Sequence, residues 1–166
     1  MPIVRPAVPA DLDAVAAIYA HYVTDSVATF EETVPSADYW AGKHADLTGR
    51  GLPFLVAVDE DRIAGYAYVA PWRTKSAYRH TVEDTIYLDP AATGRGLGSL
   101  LLGDLLDACR TAGLHQVIAV ISDPGGDASV ALHRRHAFTD AGRLADVGFK
   151  HDRWLSTLFM QHTLTP

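Results

Sequence analysis

Along much of the chain, apolar residues recur every three or four positions, which is the period of an amphipathic helix. The strongest such segment follows a glycine-rich turn and places Leu97, Leu101 and Leu105 on one face, with Gly113 at a C-cap position. Another has proline and an acidic residue in its first turn, where both are favoured. Four helices are predicted: one opening at Pro9–Asp11, one from Pro35 to Thr48, one from Leu97 to Gly113, and one from Ser129 to Arg135.

Shorter runs rich in β-branched and aromatic residues, bounded by polar turns or proline, have the pattern of strands. Phe54–Val58 and Ile63–Ala70 flank the polar turn Asp59–Arg62, so these two runs are predicted to form a hairpin. Val117–Ile121 is almost continuously apolar, which is typical of a strand covered on both faces. Further strands are predicted at Ile3–Pro6, at Val82–Leu88, and as a pair within Gly142–Thr163.

The order of these elements indicates an α/β (α+β) protein. Val82–Leu88, the glycine turn, the long helix and Val117–Ile121 form one strand–helix–strand unit, which predicts parallel strands joined by a right-handed connection. The chain contains no repeat and no Gly/Ser/Pro-rich linker, so residues 1–166 are predicted to form a single domain.

Charge and cysteine content narrow the function. The formal net charge is −6, which disfavours nucleic acid as a partner. The N-terminus lacks the pattern of a secretory signal, and no apolar run is long enough to span a membrane. A single cysteine, Cys109, lies in an apolar helical pattern and is interpreted as a core residue. We therefore expect a cytoplasmic protein without a disulfide, and we expect no metal site.

The glycine turn, Gly94–Ser99, lies between a strand and a helix, where free N–H groups attract phosphate. A Walker loop is excluded because no lysine follows the last glycine. A dinucleotide fingerprint fits poorly, since Ser99 occupies its sixth position. An acyl-coenzyme A loop fits, and a turn without any ligand is the remaining alternative.

Ile86–Pro90, the glycine turn and Leu100–Leu102 together resemble the central motif of the GCN5-related N-acetyltransferase (GNAT) superfamily. More narrowly, almost the whole chain resembles the phosphinothricin (methionine sulfoximine) N-acetyltransferases. The resemblance implies the GNAT fold, a central mixed, splayed sheet flanked by helices. The similar segments are Tyr68–Arg73, Thr81–Tyr87, Ala119–Ile121, Ser129–His133 and Gly148–Trp154.

The same resemblance implies acetyl-coenzyme A as the co-substrate, with the backbone of the strand along the pantetheine arm and the glycine turn around the diphosphate. Thr93 departs from the family pattern, which has Gln or Arg there, and Arg95 is a candidate replacement. Ser129 either contacts coenzyme A or caps its own helix. The residues expected to bind the cofactor are Ile86, Tyr87, Leu88, Gly94, Arg95, Gly96, Leu97, Gly98, Ser99 and Ser129.

Acetyl transfer to an alkyl amine requires a base, because such an amine is protonated at neutral pH. Glu83 is the candidate base, at the start of the strand that leads into the glycine turn. Asp84 is the alternative acid group, on the opposite face of that strand. His133 is the candidate acid for the leaving thiolate, the role that the resemblance implies. The alternatives are a charged strand end for Glu83 and a packing residue for His133.

An aromatic and cationic loop precedes Glu83 and has the composition of a carboxylate- or phosphinate-binding site. We therefore expect an N-acetyltransferase for a small amino-acid-like amine, such as phosphinothricin or methionine sulfoximine, and a homodimer. The alternatives are an acetyltransferase for a peptide N-terminus or a polyamine, and a non-catalytic acyl-CoA sensor. The basic loop disfavours a polyamine as the acceptor. The residues expected to bind the acceptor are Phe30, Trp72, Arg73, Tyr78, Arg79, Phe149 and Lys150.

Overall fold

The computed structural model describes residues 1–165, and within them the chain forms seven strands and four helices. The strands are β1 (Ile3–Pro6), β2 (Phe54–Asp59), β3 (Arg62–Pro71), β4 (Thr81–Leu88), β5 (Gln116–Asp123), β6 (Thr139–Lys150) and β7 (Arg153–Thr163). The helices are α1 (Leu12–Asp25), α2 (Ala37–Gly49), α3 (Leu97–Thr111) and α4 (Asp127–Arg135). Short 3₁₀ turns occur at Pro9–Asp11, Ser76–Tyr78 and Pro90–Ala92.

All seven strands lie in one mixed sheet, in the order β1-β2-β3-β4-β5-β7-β6. The β4–β5 pair is parallel, as predicted, and the other pairs are antiparallel. Strand β4 pairs with β5 only over Thr81–Glu83, although both strands continue. Beyond that point β4 stays paired with β3 and β5 with β7, so the two halves of the sheet part. The predicted splayed sheet is confirmed.

Helices cover both faces of the sheet because side chains alternate along each strand. On one face α3 buries Leu101, Leu102 and Leu105 against Val82 and Val117. On the other face, Val15 of α1 and Trp40 of α2 pack on an aromatic layer of the sheet. The sheet residues of that layer are Phe54, Tyr66 and Tyr68. Of the described helices, none is long and apolar enough to cross a membrane.

Most predicted elements are confirmed, with differences at their ends. Cys109 is buried in the core, and burial raises the pKa of its thiol to about 12. Gly113 follows α3 at φ 77°, as a C-cap glycine does. The prediction that β5 is covered on both faces is wrong at Val120, which is 39% exposed. The early start of β6 at Thr139 was missed because an exposed edge strand lacks alternation.

Candidate active site

A cleft of about 560 Å³ opens where β4 and β5 part. Strand β4 lines it from Glu83 to Leu88, and Val120, Ile121 and Ser122 line it from β5. The start of α4 and the segment after α1 close its sides. Main-chain groups of β4 beyond Glu83 that face β5 have no strand partner there. The parting of the strands therefore exposes a polar strand edge inside a cavity.

The glycine turn before α3 has the geometry of an anion site. Gly94 and Gly96 have φ values of 76° and 82°, in the region where a side chain is strained. Gly96 is the N-cap of α3, and no side chain in the described part of the chain caps the helix start. The first N–H groups of a helix have no intrahelical acceptor and carry the positive end of its dipole. Thr93, next to this turn, lines the cleft.

Side chains of the glycine turn are engaged by the protein itself. Arg95 forms an ion pair with the buried Asp59, with 2.6 Å between its Nη2 and Oδ2. Ser99 Oγ lies 2.8 Å from Nε2 of His136. A diphosphate contact by either side chain stays a prediction, and the main-chain amides are the groups that the turn leaves free.

Glu83 is half-buried and lines the cleft. Between residues 1 and 165, no hydrogen bond or ion pair engages its carboxylate. Burial and the neighbouring Asp84 charge raise the pKa of Glu83 above its ordinary value, while Lys43 and Arg73 lower it. Its carboxylate therefore combines access to the cleft with a raised proton affinity.

Asp84 lies on the opposite face of β4 and is buried against α4. Its Oδ2 is 2.7 Å from Nε2 of His133, and these two side chains are only 3% and 2% exposed. Nδ1 of His133 is 2.7 Å from the carbonyl oxygen of Ser129. Both acceptors are oxygens, so the imidazolium form, in which both ring nitrogens donate, satisfies both contacts. Burial alone would lower the pKa of His133, but the Asp84 charge and these hydrogen bonds raise it.

Ser129 lies inside α4 rather than at its start. The helix begins at Asp127 with Gly126 as its N-cap, so the interpretation of Ser129 as the cap is wrong. The Ser129 hydroxyl lies 3.3 Å from Nδ1 of His133 and borders the cleft. Contact between Ser129 and coenzyme A stays a prediction.

The end of α1 and the segment after it form one wall of the cleft and are held by β4 and β6. Tyr22 donates a hydrogen bond of 2.5 Å to the Leu88 carbonyl. Lys150 is buried, and its ammonium donates to the carbonyls of Thr29 at 2.9 Å and Tyr22 at 3.4 Å. Phe30 lies against Gly148 and lines the cleft. Lys150 thus holds this wall, and its predicted contact with the acceptor stays a prediction.

The aromatic and cationic loop borders the site without lining the cleft. The Arg73 guanidinium lies 4.9 Å from the centre of the Trp72 ring, and Trp72 packs edge-on against Phe159. Tyr78 is exposed, and Arg79 donates to a carbonyl within its own loop. Phe149 is also exposed, and its ring packs against that of Trp154. Acceptor binding by Trp72, Arg73, Tyr78, Arg79 and Phe149 stays a prediction.

Two side chains that approach the site were not found from the sequence. Tyr68 lines the cleft, and Lys43 of α2 holds its ammonium 4.9 Å from the centre of the Tyr68 ring. Lys43 was not among the residues that the sequence singled out. Lys43 reaches the Tyr68 ring because α2 packs on β3, where Trp40 contacts Tyr66, so no local signal marked it. In the described part of the chain, no group of three or more potential metal ligands occurs.

Comparison with known proteins identifies the family. Residues 15–138 match the model of the Acetyltransferase (GNAT) family. The chain belongs to the GNAT acetyltransferase family. The predicted family, fold and enzyme class are thereby confirmed. The parted strands β4 and β5 correspond to the splayed sheet that the family resemblance predicted. The glycine turn corresponds to the central motif of that family.

Relatives of this GNAT protein act on small molecules according to their names. It is 43% identical over 154 residues to a phosphinothricin N-acetyltransferase of Alcaligenes faecalis, covering 93% of this chain and 78% of that protein. It is 38% identical to an L-methionine sulfoximine/L-methionine sulfone acetyltransferase of Pseudomonas aeruginosa, covering 98% and 95%. A solved phosphinothricin acetyltransferase from Sinorhizobium meliloti, in complex with AcCoA, has a TM-score of 0.94 and 45% identity, covering 98% and 88%.

Proposed function

We propose that this protein transfers the acetyl group of acetyl-CoA to the primary amine of a small amino-acid-like acceptor, such as phosphinothricin or methionine sulfoximine. The observation that carries this proposal is the Glu83 carboxylate, half-buried, unpaired among the described residues and open to the cleft between β4 and β5. The names of the relatives support the acceptor class.

The residues present fit acetyl-CoA, which when bound supplies an acetyl thioester. An extended ligand is suited to the unpaired strand edge of β4, where Ile86, Tyr87 and Leu88 line the cleft. The helix start at Gly96 offers main-chain N–H groups to a diphosphate. These are the same main-chain features that the sequence motif predicts.

Glu83 acts as the base in this proposal. An alkyl amine has a pKa near 10 and arrives protonated at neutral pH, so a carboxylate must accept its proton. The raised pKa of Glu83 brings its proton affinity closer to that of the task than an ordinary glutamate has. The absence of a competing partner among residues 1–165 leaves both carboxylate oxygens available.

His133 is proposed as a source of protons on the other side of the cleft. It holds one proton at each ring nitrogen, donated to Asp84 and to the Ser129 carbonyl. Donation of either proton to a reacting group requires one of these hydrogen bonds to be exchanged. The structure therefore favours a second role beside the predicted one: the Asp84–His133 pair positions β4 against α4.

An assay of thiol release from acetyl-CoA with a panel of amines tests the proposed function. We expect turnover of phosphinothricin, methionine sulfoximine or methionine sulfone, and none of polyamines, because Arg73 gives the site local positive charge. If only a peptide N-terminus were acetylated, the acceptor would be a peptide and not a small amino-acid-like amine. Calorimetry that detects coenzyme A binding, with no amine turned over, would favour the acyl-CoA sensor.

A homodimer and a cytoplasmic location complete the proposal. The β6–β7 hairpin exposes a group of large apolar side chains, and a second copy of the chain is the proposed occupant of that face. Light scattering after chromatography, with Trp154→Glu as the variant, tests the dimer. The cytoplasmic location and the lack of nucleic-acid partners rest on the sequence alone. The exposed hairpin residues are Leu144, Val147, Phe149 and Trp154.

A further inference from the structure

The middle of the glycine turn is attached to the sheet through the side chain of Arg95. Its neighbours Gly94 and Gly96, with φ values of 76° and 82°, have no side chain that could make such a contact. Nη2 of Arg95 lies 2.6 Å from Oδ2 of Asp59, the last residue of β2. Among the described residues, no other side-chain hydrogen bond or ion pair joins residues 93–96 to a strand. The Arg95–Asp59 pair is therefore the polar attachment of the turn to the sheet.

The two ends of the turn are anchored by apolar contacts. Ala92 before the turn and Leu97 after it are buried against Ala64 of β3. Between these anchors the chain contains two glycines, the residue type with the greatest conformational freedom. A turn fixed only at its ends would sample several conformations, whereas a diphosphate requires main-chain N–H groups that point at one place. A contact at Arg95 restricts the turn to fewer conformations.

The burial of Asp59 makes its contact with Arg95 necessary. The Asp59 side chain is 8% exposed, whereas that of Arg95 is 54% exposed. A buried carboxylate needs a cationic partner, because the loss of its hydration is otherwise not compensated. Within residues 1–165, Arg95 is the cation in contact with it. The carboxylate thus holds the guanidinium, and with it the middle of the turn, at the end of β2.

We propose that Asp59 is a positioning residue for the cofactor: through Arg95 it holds the glycine turn in the conformation that binds the diphosphate of acetyl-CoA. The inference deepens the proposed function and rests on it, because the turn must be the diphosphate site. It gives Arg95 a role different from the diphosphate contact that the sequence predicts. The two roles differ in the expected result of Asp59→Asn. If Arg95 contacted the diphosphate, loss of the Asp59 charge would release the guanidinium and strengthen coenzyme A binding.

Calorimetry of coenzyme A binding to Asp59→Asn tests the positioning role. We expect Kd to rise about tenfold, as it does when the binding conformation falls to about a tenth of the molecules. KM for acetyl-CoA should rise with it, while kcat and KM for the acceptor change less than about twofold. Asp46→Asn is the matched control, because it removes the carboxylate of the exposed Asp46–Arg50 pair on α2, and it should bind as the wild type does. An unchanged or lower Kd in Asp59→Asn, or a fall in kcat alone, would overturn the role.

The double variant Asp59→Asn, Arg95→Gln shows whether Asp59 acts through Arg95. Substitutions of two residues in contact are not additive, so the double variant should bind coenzyme A as Arg95→Gln does. A further loss of affinity beyond that of Arg95→Gln would contradict action through Arg95.

Nitrogen-15 relaxation of the protein without coenzyme A gives a readout that does not depend on binding. We expect lower amide order parameters, or microsecond-to-millisecond exchange, at Gly94 and Gly96 in Asp59→Asn and in Arg95→Gln, with β7 unchanged. If Asp59→Asn does not fold, Arg95→Gln alone decides, and unchanged relaxation of the turn in that variant overturns the role. A wild type that binds no coenzyme A would refute the proposed function separately. Relaxation of the turn would then still show whether Asp59 holds it.

Discussion

The two faces of β4 present adjacent carboxylates in opposite states. Glu83 faces α1 and α2, is half-buried and has no partner among the described residues, while Asp84 faces α4 and is bound to the His133 imidazolium. Both line the same cleft because the sheet parts at this point. Pairing and burial together, rather than position in the sequence, separate a carboxylate available for proton transfer from one bound within the fold.

This difference follows from what the rest of the fold places on each side. The α4 side supplies a cation in direct contact, which compensates the desolvation of Asp84. The other side supplies Lys43 and Arg73, which form no ion pair with Glu83 within residues 1–165, so the Glu83 carboxylate remains open to an acceptor. Substitution of Glu83 should therefore lower activity with little effect on stability, whereas substitution in the Asp84–His133 pair should lower stability.

The largest effect is expected for Glu83→Gln. Removal of a general base lowers the rate by about 10²–10⁴-fold, and the loss should be greater at pH 7 than at pH 9, where more of the amine has lost its own proton. The free energy of unfolding should stay within about 0.5 kcal/mol of the wild type, as for a residue without special contacts. Thiol-release kinetics and urea unfolding measure both; an unchanged rate would remove Glu83 as the base.

The opposite result is expected for His133→Ala. This variant leaves Asp84 as an unpaired buried carboxylate, which costs about 3–5 kcal/mol of unfolding free energy. Urea unfolding followed by fluorescence measures the loss, with His21→Ala as an exposed control. A large fall in rate with unchanged stability would show instead that His133 acts chiefly in proton transfer.

A smaller effect is expected for Gly96→Ala at the start of α3. Its φ of 82° disfavours a side chain by about 1–2 kcal/mol, so coenzyme A binding should weaken and the protein should lose stability. Gly42→Ala on α2 is the matched control, because a Cβ there meets no atom within 4 Å. That control should gain about 0.5–1 kcal/mol. Calorimetry and thermal unfolding compare the two; equal coenzyme A affinity would contradict the assignment of the turn.

The smallest expected effect is the pH dependence of stability that the buried Asp84–His133 pair causes. The pKa of His133 is raised in the folded protein, so its contribution is fully present below the unfolded value of about 6.5. That contribution is lost as pH rises through the folded pKa. Urea unfolding between pH 5 and 9 should show this decline in the wild type. The double variant Asp84→Asn, His133→Gln should lack it, and an identical decline there would assign the effect to other groups.

Local patterns were sufficient for most of the fold and for part of the site. The three-to-four spacing of leucines predicted α3, and the glycines before it predicted the helix start, because both depend on neighbours in the chain. Glu83 could be predicted from the sequence for the same reason, since the family motif is continuous around it. The roles of Ser129 and Lys150 could not, because their partners depend on where helix α4 begins and on contacts more than 100 residues apart.

By itself the sequence determined the family, the order of helices and strands, the glycine turn and the candidate base. Only the tertiary structure decided which charges are matched. Asp84 pairs with His133 and Arg95 with Asp59, whereas Lys43 has no ion-pair partner within residues 1–165. The physical reason is that electrostatic interaction depends on distance and burial in space, whereas sequence motifs record only spacing along the chain.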